Sequence, residues 1–405
     1  MSEWQETEYG RVPSKWQVLT LGEISEKITD GSHLSPKPQT SGKYMCSVKD
    51  MTYNRFDFSD CKLISLDDFD KLVAQGCQPK NGDILISKDG ANCLDLIFVF
   101  NQKEELVLLS SIAIVRLLSN YNSVFVRYFL LAPDCQYVMR NNYISGSAIP
   151  RVVLKDFKKV SILIPPLPEQ KAIAAVLSSL DDKIDLLHRQ NKTLEAMAET
   201  LFKQWFVVEA REDWEFVTVG DFVTTNEKTV NNSYDQQFIE YLDTSSLTEG
   251  KINGIQLLSL KEAPSRARRL VKHNDVLIST VRPNQKHFGI IKNPKNNLVV
   301  STGFCVLTCH KIDPYFIYIL LTTDEMTEYL HSIAEGSTST YPSLKPSDIE
   351  KIEFQLPPKN KLDEFAKIAS DNWNKIEINH NQIQTLETLR DNLLPKLMSG
   401  DVRVT

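Results

Sequence analysis

Apolar positions along this chain follow two periods, and the change from one to the other sets its organisation. Short runs rich in Ile, Val, Leu and Phe predict strands over residues 83–87, 94–100 and 110–117. Asn81-Gly82 marks a turn before the first of them. Phe125, Tyr128, Phe129, Leu131 and Ala132 then recur at helical spacing. The same succession returns as strands over 275–279 and 298–307 and a helix through Phe316, Ile319 and Leu320. Between and after these stretches the period becomes 4-3. Ile173, Leu177, Leu180, Ile184, Leu187, Asn191, Leu194, Ala198, Leu201 and Trp205 form an a/d seam, unbroken over about 38 residues. It follows Pro165-Pro166-Leu167-Pro168, so a helix is expected to begin near Glu169, whose charge suits the helix dipole. A second seam runs through Phe365, Ala369, Asn372, Ile376, Asn379, Ile383, Leu386, Arg390, Leu393 and Leu397. Asn372, Asn379 and Arg390 interrupt it, and Pro395 is expected to kink or end the helix. Two such helices, each marginal alone, most simply pack antiparallel.

The chain is a tandem repeat. Trp16-x4-Leu21-Gly22-Glu23 returns as Trp214-x4-Val219-Gly220-Asp221, a shift of 198. Asp83-Ile84-Leu85-Ile86-Ser87 returns as Asp275-Val276-Leu277-Ile278-Ser279 and Pro165-Pro166 as Pro357-Pro358, both shifted by 192. Gly146-Ser147 returns as Gly336-Ser337, a shift of 190. Indels in surface loops account for the drift. Residues 1–165 and 209–357 are then two similar globular domains of mixed α/β (α+β) type, and 166–208 and 358–405 are the helices that join them. A helix of about 38 residues makes a rod of roughly 57 Å, or on the order of 17 base pairs of duplex. Such a rod would space two readers along DNA.

Bulk properties narrow the function. Composition is that of ordinary globular protein, and no apolar run is long enough to span a bilayer. The polar, acidic start Met1-Ser2-Glu3-Trp4 does not suit a secretory signal, and seven scattered cysteines fit a reducing compartment, so the expected location is cytoplasmic. Cys305 and Cys309 share one face of an expected strand, which reads as packing. The net charge of −6 hides a strongly basic segment. From Lys251 to Lys311, seven lysines and four arginines face only Glu262 and Asp275. A segment so basic within an acidic chain suggests contact with a polyanion.

Catalytic signatures are missing. There is no G-x-G of a methyl-donor or dinucleotide loop, and Gly42-Lys43 and Gly250-Lys251 lack the earlier glycine of a phosphate loop. Glu169-Gln170-Lys171 with Asp156 upstream imitates a nuclease triplet, but it lies in the first turn of a helix, where Glu has an electrostatic reason to be. The histidines show no ligand spacing. The expectation is a chain with no catalytic, metal or cofactor site of its own.

Ile164-Pro165-Pro166-Leu167-Pro168-Glu169-Gln170-Lys171-Ala172-Ile173-Ala174, followed by Leu180-Asp181-Asp182-Lys183-Ile184-Asp185, resembles the central helix region of type I restriction–modification specificity subunits. The Trp16…Leu21-Gly22-Glu23 opening, Gly82-Asp83-Ile84-Leu85-Ile86-Ser87 and Gly146-Ser147…Leu154-Lys155-Asp156-Phe157 resemble that family's target-recognition domains. The second copy departs from the pattern, with Pro357-Pro358-Lys359-Asn360-Lys361 in place of Leu-Pro-Glu-Gln. The resemblance implies two target-recognition domains joined by two long antiparallel coiled-coil helices. Each domain would read half of a bipartite, asymmetric double-stranded DNA target. It also implies a scaffold for two modification (methyltransferase) subunits and for restriction subunits, with S-adenosylmethionine, ATP and Mg held by those partners. Helix positions expected to serve as spacer and partner-binding seam are Ile173, Leu177, Leu180, Ile184, Leu187, Leu194, Leu201, Trp205, Ile376, Ile383, Leu386 and Leu393.

On this reading lysines and arginines position the domains on phosphates while a few side chains reach base edges. In the second domain the expected contacts are Arg266, Arg268, Arg269, Lys272, Arg282, Asn284, Gln285 and Lys286, with Pro283 stiffening the loop. In the first they are Lys88, Asn92 and Arg151, with Gly90 permitting close backbone approach. The alternative is a coiled-coil adaptor between proteins that reads no DNA sequence.

Overall fold

A computed structural model describes residues 4–7, 10–146, 149–231, 233–336 and 343–404. Ser147 and Ser337 of the repeated Gly-Ser pair lie outside the described residues. The chain divides into two compact units, residues 1–186 with 383–405 and residues 187–382. Each long helix is therefore cut by the division, giving one portion to each unit.

In the first unit the run Ile84–Ser87 is buried on both faces, which is why it reads as continuous apolar sequence rather than as an alternation. It is central in a four-stranded antiparallel sheet ordered Ser25–Asp30, Ile112–Leu117, Ile84–Ser87, Ile97–Val99. Ile84 and Ile86 pack with Phe125 and Phe129 of the helix Ser123–Leu131. Leu85 faces the other way, into a cluster with Phe56, Phe98 and Phe100. A strand pair of Gln17–Thr20 with Ser161–Ile164 leads into Pro165-Pro166 and the first long helix.

The second unit repeats the sheet as Val223–Thr225, Phe304–Cys309, Val276–Ser279, Phe288–Ile290. Its register is that of the first copy displaced by 192, since Ile112 pairs with Ser87 and Phe304 with Ser279. The single strand expected over 298–307 is two. Leu298–Ser301 belongs to a separate sheet with Phe238–Leu242 and Ala267–Leu270, and Thr302-Gly303 turns the chain into Phe304–Cys309. The sequence marks that turn with Ser301-Thr302-Gly303, which interrupts the apolar run. Cys305 lies in the apolar cluster with Val276 and Leu307, and Cys309 packs against its edge.

The first long helix spans Leu167–Lys203 and ends in a π-helical turn, Gln204–Val208. The second spans Lys359–Ser399. Pro395, expected to kink or end the helix, lies inside it and does not end it. Leu394, Leu397 and Met398 around the proline are buried, and packing of that face outweighs the one lost backbone bond. Every seam position named above is buried or half-buried. In the first unit Ile173 and Leu177 share a core with Leu394 and Leu397, and Arg403 reaches back to Glu169 at 3.0 Å. In the second, Ala198 and Phe202 pack with Phe365 and Ala369. Asn379 there donates to Asn191 at 2.7 Å, and Asn372 donates to the Leu194 carbonyl at 3.1 Å. Both sets of partners run in opposite chain directions, so each unit contains an antiparallel helix pair. The buried Asn191–Asn379 pair disfavours slippage, because any other register leaves two amides in apolar surroundings. No helix among the described residues is long and apolar enough to cross a membrane.

Glu195, on the helix portion of the second unit, is a source of instability. Burial, and then Glu199 and Glu249, push its carboxyl up to about 7. A carboxyl raised on folding stabilises the fold fully below its unfolded value near 4.5 and loses that contribution as pH rises towards 7. Glu195→Gln is therefore expected to melt higher than the parent at pH 8, with the gap closing at pH 4.5. Melting curves of both proteins at the two pH values check this, and an equal gap at both would exclude titration as the cause.

Candidate nucleic-acid interface

The loops that follow the two central strands sit on one backbone frame. In the first unit Lys88 N–H donates to the Ser111 carbonyl at 2.9 Å, Val152 N–H to the Lys88 carbonyl at 2.9 Å, and Asp89 bridges Arg151. In the second, Thr280 N–H donates to Gly303 at 2.8 Å, Leu344 N–H to Thr280 at 2.7 Å, and Val281 bridges Ser343. Every residue in the second set stands 192 positions after its counterpart. Even the backbone sign agrees, because Gly90 has φ 93° and Arg282, its equivalent, φ 47°. Side chains differ almost throughout: Lys88, Asp89 and Gly90 stand where Thr280, Val281 and Arg282 stand. The frame is common and what it presents is not.

Lys88 does not reach the surface. It is 2% exposed, with its ammonium 3.4 Å from Asp30 and 3.2 Å from Asp89, so it is an internal ion pair and not a DNA contact. A lysine at a strand end reads as exposed from sequence, and the acid that buries it, Asp30, comes from a strand far earlier in the chain. Gly90 also needs a different reason. A Cβ there would meet nothing within 4 Å, so its positive φ requires glycine rather than crowding in the fold. Asn92 and Arg151 are exposed, and the bridge to Asp89 holds Arg151 beside the loop.

In the second unit Arg282 and Lys286 both have left-handed backbones and flank a 3-10 turn, Pro283–Gln285. Neither is glycine, and each left-handed residue of this kind stores about 1–3 kcal/mol of strain. Pro283 is buried while Arg282, Asn284 and Gln285 are exposed. Lys286 pairs at the surface with the exposed Asp324 at 2.7 Å and Glu249 at 3.4 Å, which braces the loop. The Thr302-Gly303 turn gathers the site: Thr302 N–H donates to the Arg266 carbonyl at 2.7 Å, and Gly303 accepts from Thr280. Arg266 and the Arg282 loop therefore lie around one turn.

The basic segment is less free than its charge suggests. Lys272 pairs with Glu227 at 2.7 Å, and Lys295 pairs with Glu240. Lys292 is half-buried over the Tyr315 ring. Arg269 is half-buried, its backbone bridged to Thr229. Among the described residues no carboxylate lies within ion-pair distance of Arg266, Arg268 or Arg282, and all three are exposed. Lys272, Lys286 and Lys295 each have a carboxylate partner, whereas these arginines have none among the described residues, as is also true of the exposed Lys251, Lys261 and Lys311. The strand-end carboxylates Asp83 and Asp275, both buried, escaped the sequence reading. Their identical spacing from Lys80 and Lys272, whose N–H groups they accept at 2.7 and 2.8 Å, is the signal that could have found them.

Comparison with known proteins follows the same duplication. A family model described as the type I restriction modification DNA specificity domain matches twice, over residues 13–196 and 211–388. The specificity subunit of the type I restriction enzyme HindI of Haemophilus influenzae is 27% identical over 180 residues, covering 44% of this chain and 39% of that protein. The MjaIX specificity subunit of Methanocaldococcus jannaschii is 29% identical over 308 residues, 68% of each chain. Among solved structures, a type I restriction–modification S subunit from M. genitalium matches with a TM-score of 0.59 and 16% identity. That match covers 95% of this chain and 96% of the other, a likeness of fold.

Proposed function

This chain belongs to the specificity subunits of type I restriction–modification systems, and from that membership we propose that it reads a bipartite, asymmetric DNA target with one unit on each half. It is the DNA-recognition component of such a system and not a catalytic one. The observation that supports two-part reading is the shared backbone frame with exchanged side chains. Equal frames suit equal placement on duplex DNA, and unequal side chains suit unequal base sequences. In the second unit Arg266, Arg268, Arg282, Asn284 and Gln285 make the contacts. In the first, Asn92 and Arg151 do. The helices set the spacer and carry two methyltransferase subunits and the restriction subunits. S-adenosylmethionine, ATP and magnesium belong to those partners, and the complex works in the cytoplasm.

The test is binding of the assembled modification complex to a matched bipartite duplex as salt rises. The affinity is expected to fall steeply, by about 0.9 decade per decade of salt for each phosphate neutralised. A flat response, or equal affinity for unrelated duplexes, would leave the protein–protein adaptor as the better account. Spacer length offers a second check. A heptad added to each long helix at the unit boundaries, after Leu186 and after Gln382, leaves both units intact. Seven residues add about 10.5 Å of helix, so the preferred spacer should grow by roughly three base pairs. An unmoved spacer would show that the helices do not set it.

A further inference from the structure

The two copies differ most sharply at the buried carboxylate before the central strand. In the first unit Arg116 clasps Asp83 with two parallel bonds, Nε to Oδ1 at 2.8 Å and Nη2 to Oδ2 at 2.7 Å. Asp83 is 1% exposed and also accepts the Lys80 N–H. In the second unit Asp275 is 3% exposed and accepts the equivalent Lys272 N–H. The position of Arg116, however, holds Thr308, whose hydroxyl donates to Oδ1 at 2.7 Å. The guanidinium is gone and the carboxyl remains. Burial pushes the Asp275 carboxyl up, offset in part by the Thr308 and Lys272 bonds and by the Lys272 charge.

Open space accompanies the exchange. A cavity of about 550 Å³ is lined by Asp275, Thr308, Lys228, Lys272, Lys295 and Glu227. Lys272 is held by Glu227 and Lys295 by Glu240, whereas Lys228 has no ion-pair partner among the described residues. A cavity of mixed polar and apolar lining that holds a buried carboxylate and several lysines is complementary to a molecule carrying both a donor group and an anionic group. Asp83 in the first unit shows what that carboxylate position accepts: a planar pair of N–H donors, matched bidentately.

We propose that the Asp275–Thr308 cavity of the second unit is a small-molecule site for a ligand carrying a planar pair of N–H donors at one end and an anionic group at the other. Asp275 takes the donor pair as Asp83 takes Arg116, and Lys228 meets the anion. Two ligand sources carry this chemistry. Arginine has a guanidinium and a carboxylate, and a guanine nucleotide has its N1–H and N2–H edge and a phosphate. The site is separate from the exposed arginines assigned to DNA, and the inference does not rest on that assignment.

Calorimetric titration of the full-length chain with L-arginine, guanosine 5′-monophosphate and L-lysine is the test. Saturable binding of arginine or of the nucleotide is expected, and which one binds identifies the source. Lysine, with a single ammonium, is expected to bind at least tenfold more weakly. Thr308→Arg restores the arrangement of the first unit, so it should weaken binding at least tenfold while raising the melting temperature of the chain. Asp275→Asn should also abolish binding. No saturable heat with either ligand would overturn the proposal, as would undiminished binding by Thr308→Arg. Thr308→Arg keeps the result readable if Asp275→Asn fails to fold.

Discussion

Replacing Arg266, Arg268 and Arg282 together by alanine is expected to weaken binding of the assembled complex to its matched duplex by on the order of a thousandfold. Each arginine on DNA is worth about 1–3 kcal/mol, so three give several powers of ten. Their availability is the reason for choosing them: neighbouring lysines are held by Glu227, Glu240, Asp324 and Glu249, whereas these arginines have no such partner among the described residues. Lys272→Ala is the internal control, and it should cost far less. Salt titration separates the roles, since losing a phosphate contact lowers the slope by about one per residue and weakens all sequences alike. A base contact leaves the slope and relaxes one position. Damage should be confined to one half of the target, because all three residues belong to one unit. Unchanged affinity in the triple variant would remove the second unit's interface as described.

The repeat was the most legible feature of the sequence because it acts on every level at once. An offset of 192 carries over strand register, turn capping and the hydrogen bonds that frame both loops. The seams were legible for a related reason, since an uninterrupted 4-3 spacing has few other uses. What stayed hidden was pairing between distant charges. Lys88 looks like a contact until Asp30 is placed against it, and Lys286 looks free until the exposed Asp324 is placed beside it. Sequence spacing carries no information about such partners. The Thr302-Gly303 turn was a different miss, since Ser301-Thr302-Gly303 does interrupt the apolar run between two buried strands of separate sheets. Also hidden were the left-handed backbones at Arg282 and Lys286, because neither residue type announces that conformation.

Arg390 shows how a misfit in a pattern becomes an interaction once the fold is known. It interrupts the second seam because it answers Asp181 on the first, 3.1 Å away within the first unit. Asp181 also accepts from Arg127 at 3.1 Å and from the Tyr128 hydroxyl at 2.6 Å, and the three charged side chains are largely buried. Arg127 further donates to the Ile97 carbonyl at 2.9 Å and lies over the Tyr53 ring. Asp181→Ala leaves the buried Arg127 guanidinium without an anion and Arg390 with only the exposed Asp391, 2.9 Å away, and is expected to destabilise the first unit by about 3–5 kcal/mol. The second unit supplies the contrast. At the positions equivalent to Arg127, Asp181 and Arg390 stand Ile319, Trp373 and Ala198, all buried in one apolar core. The same frame therefore tolerates a wholly apolar solution. Replacing Arg127, Asp181 and Arg390 together by leucine should recover most of the stability that Asp181→Ala loses, because no charge is left unpaired. Denaturant unfolding of the full chain, followed by a probe in the first unit, measures both variants. A triple variant less stable than Asp181→Ala would mean that the cluster contributes through its hydrogen bonds and not merely by avoiding an unpaired charge.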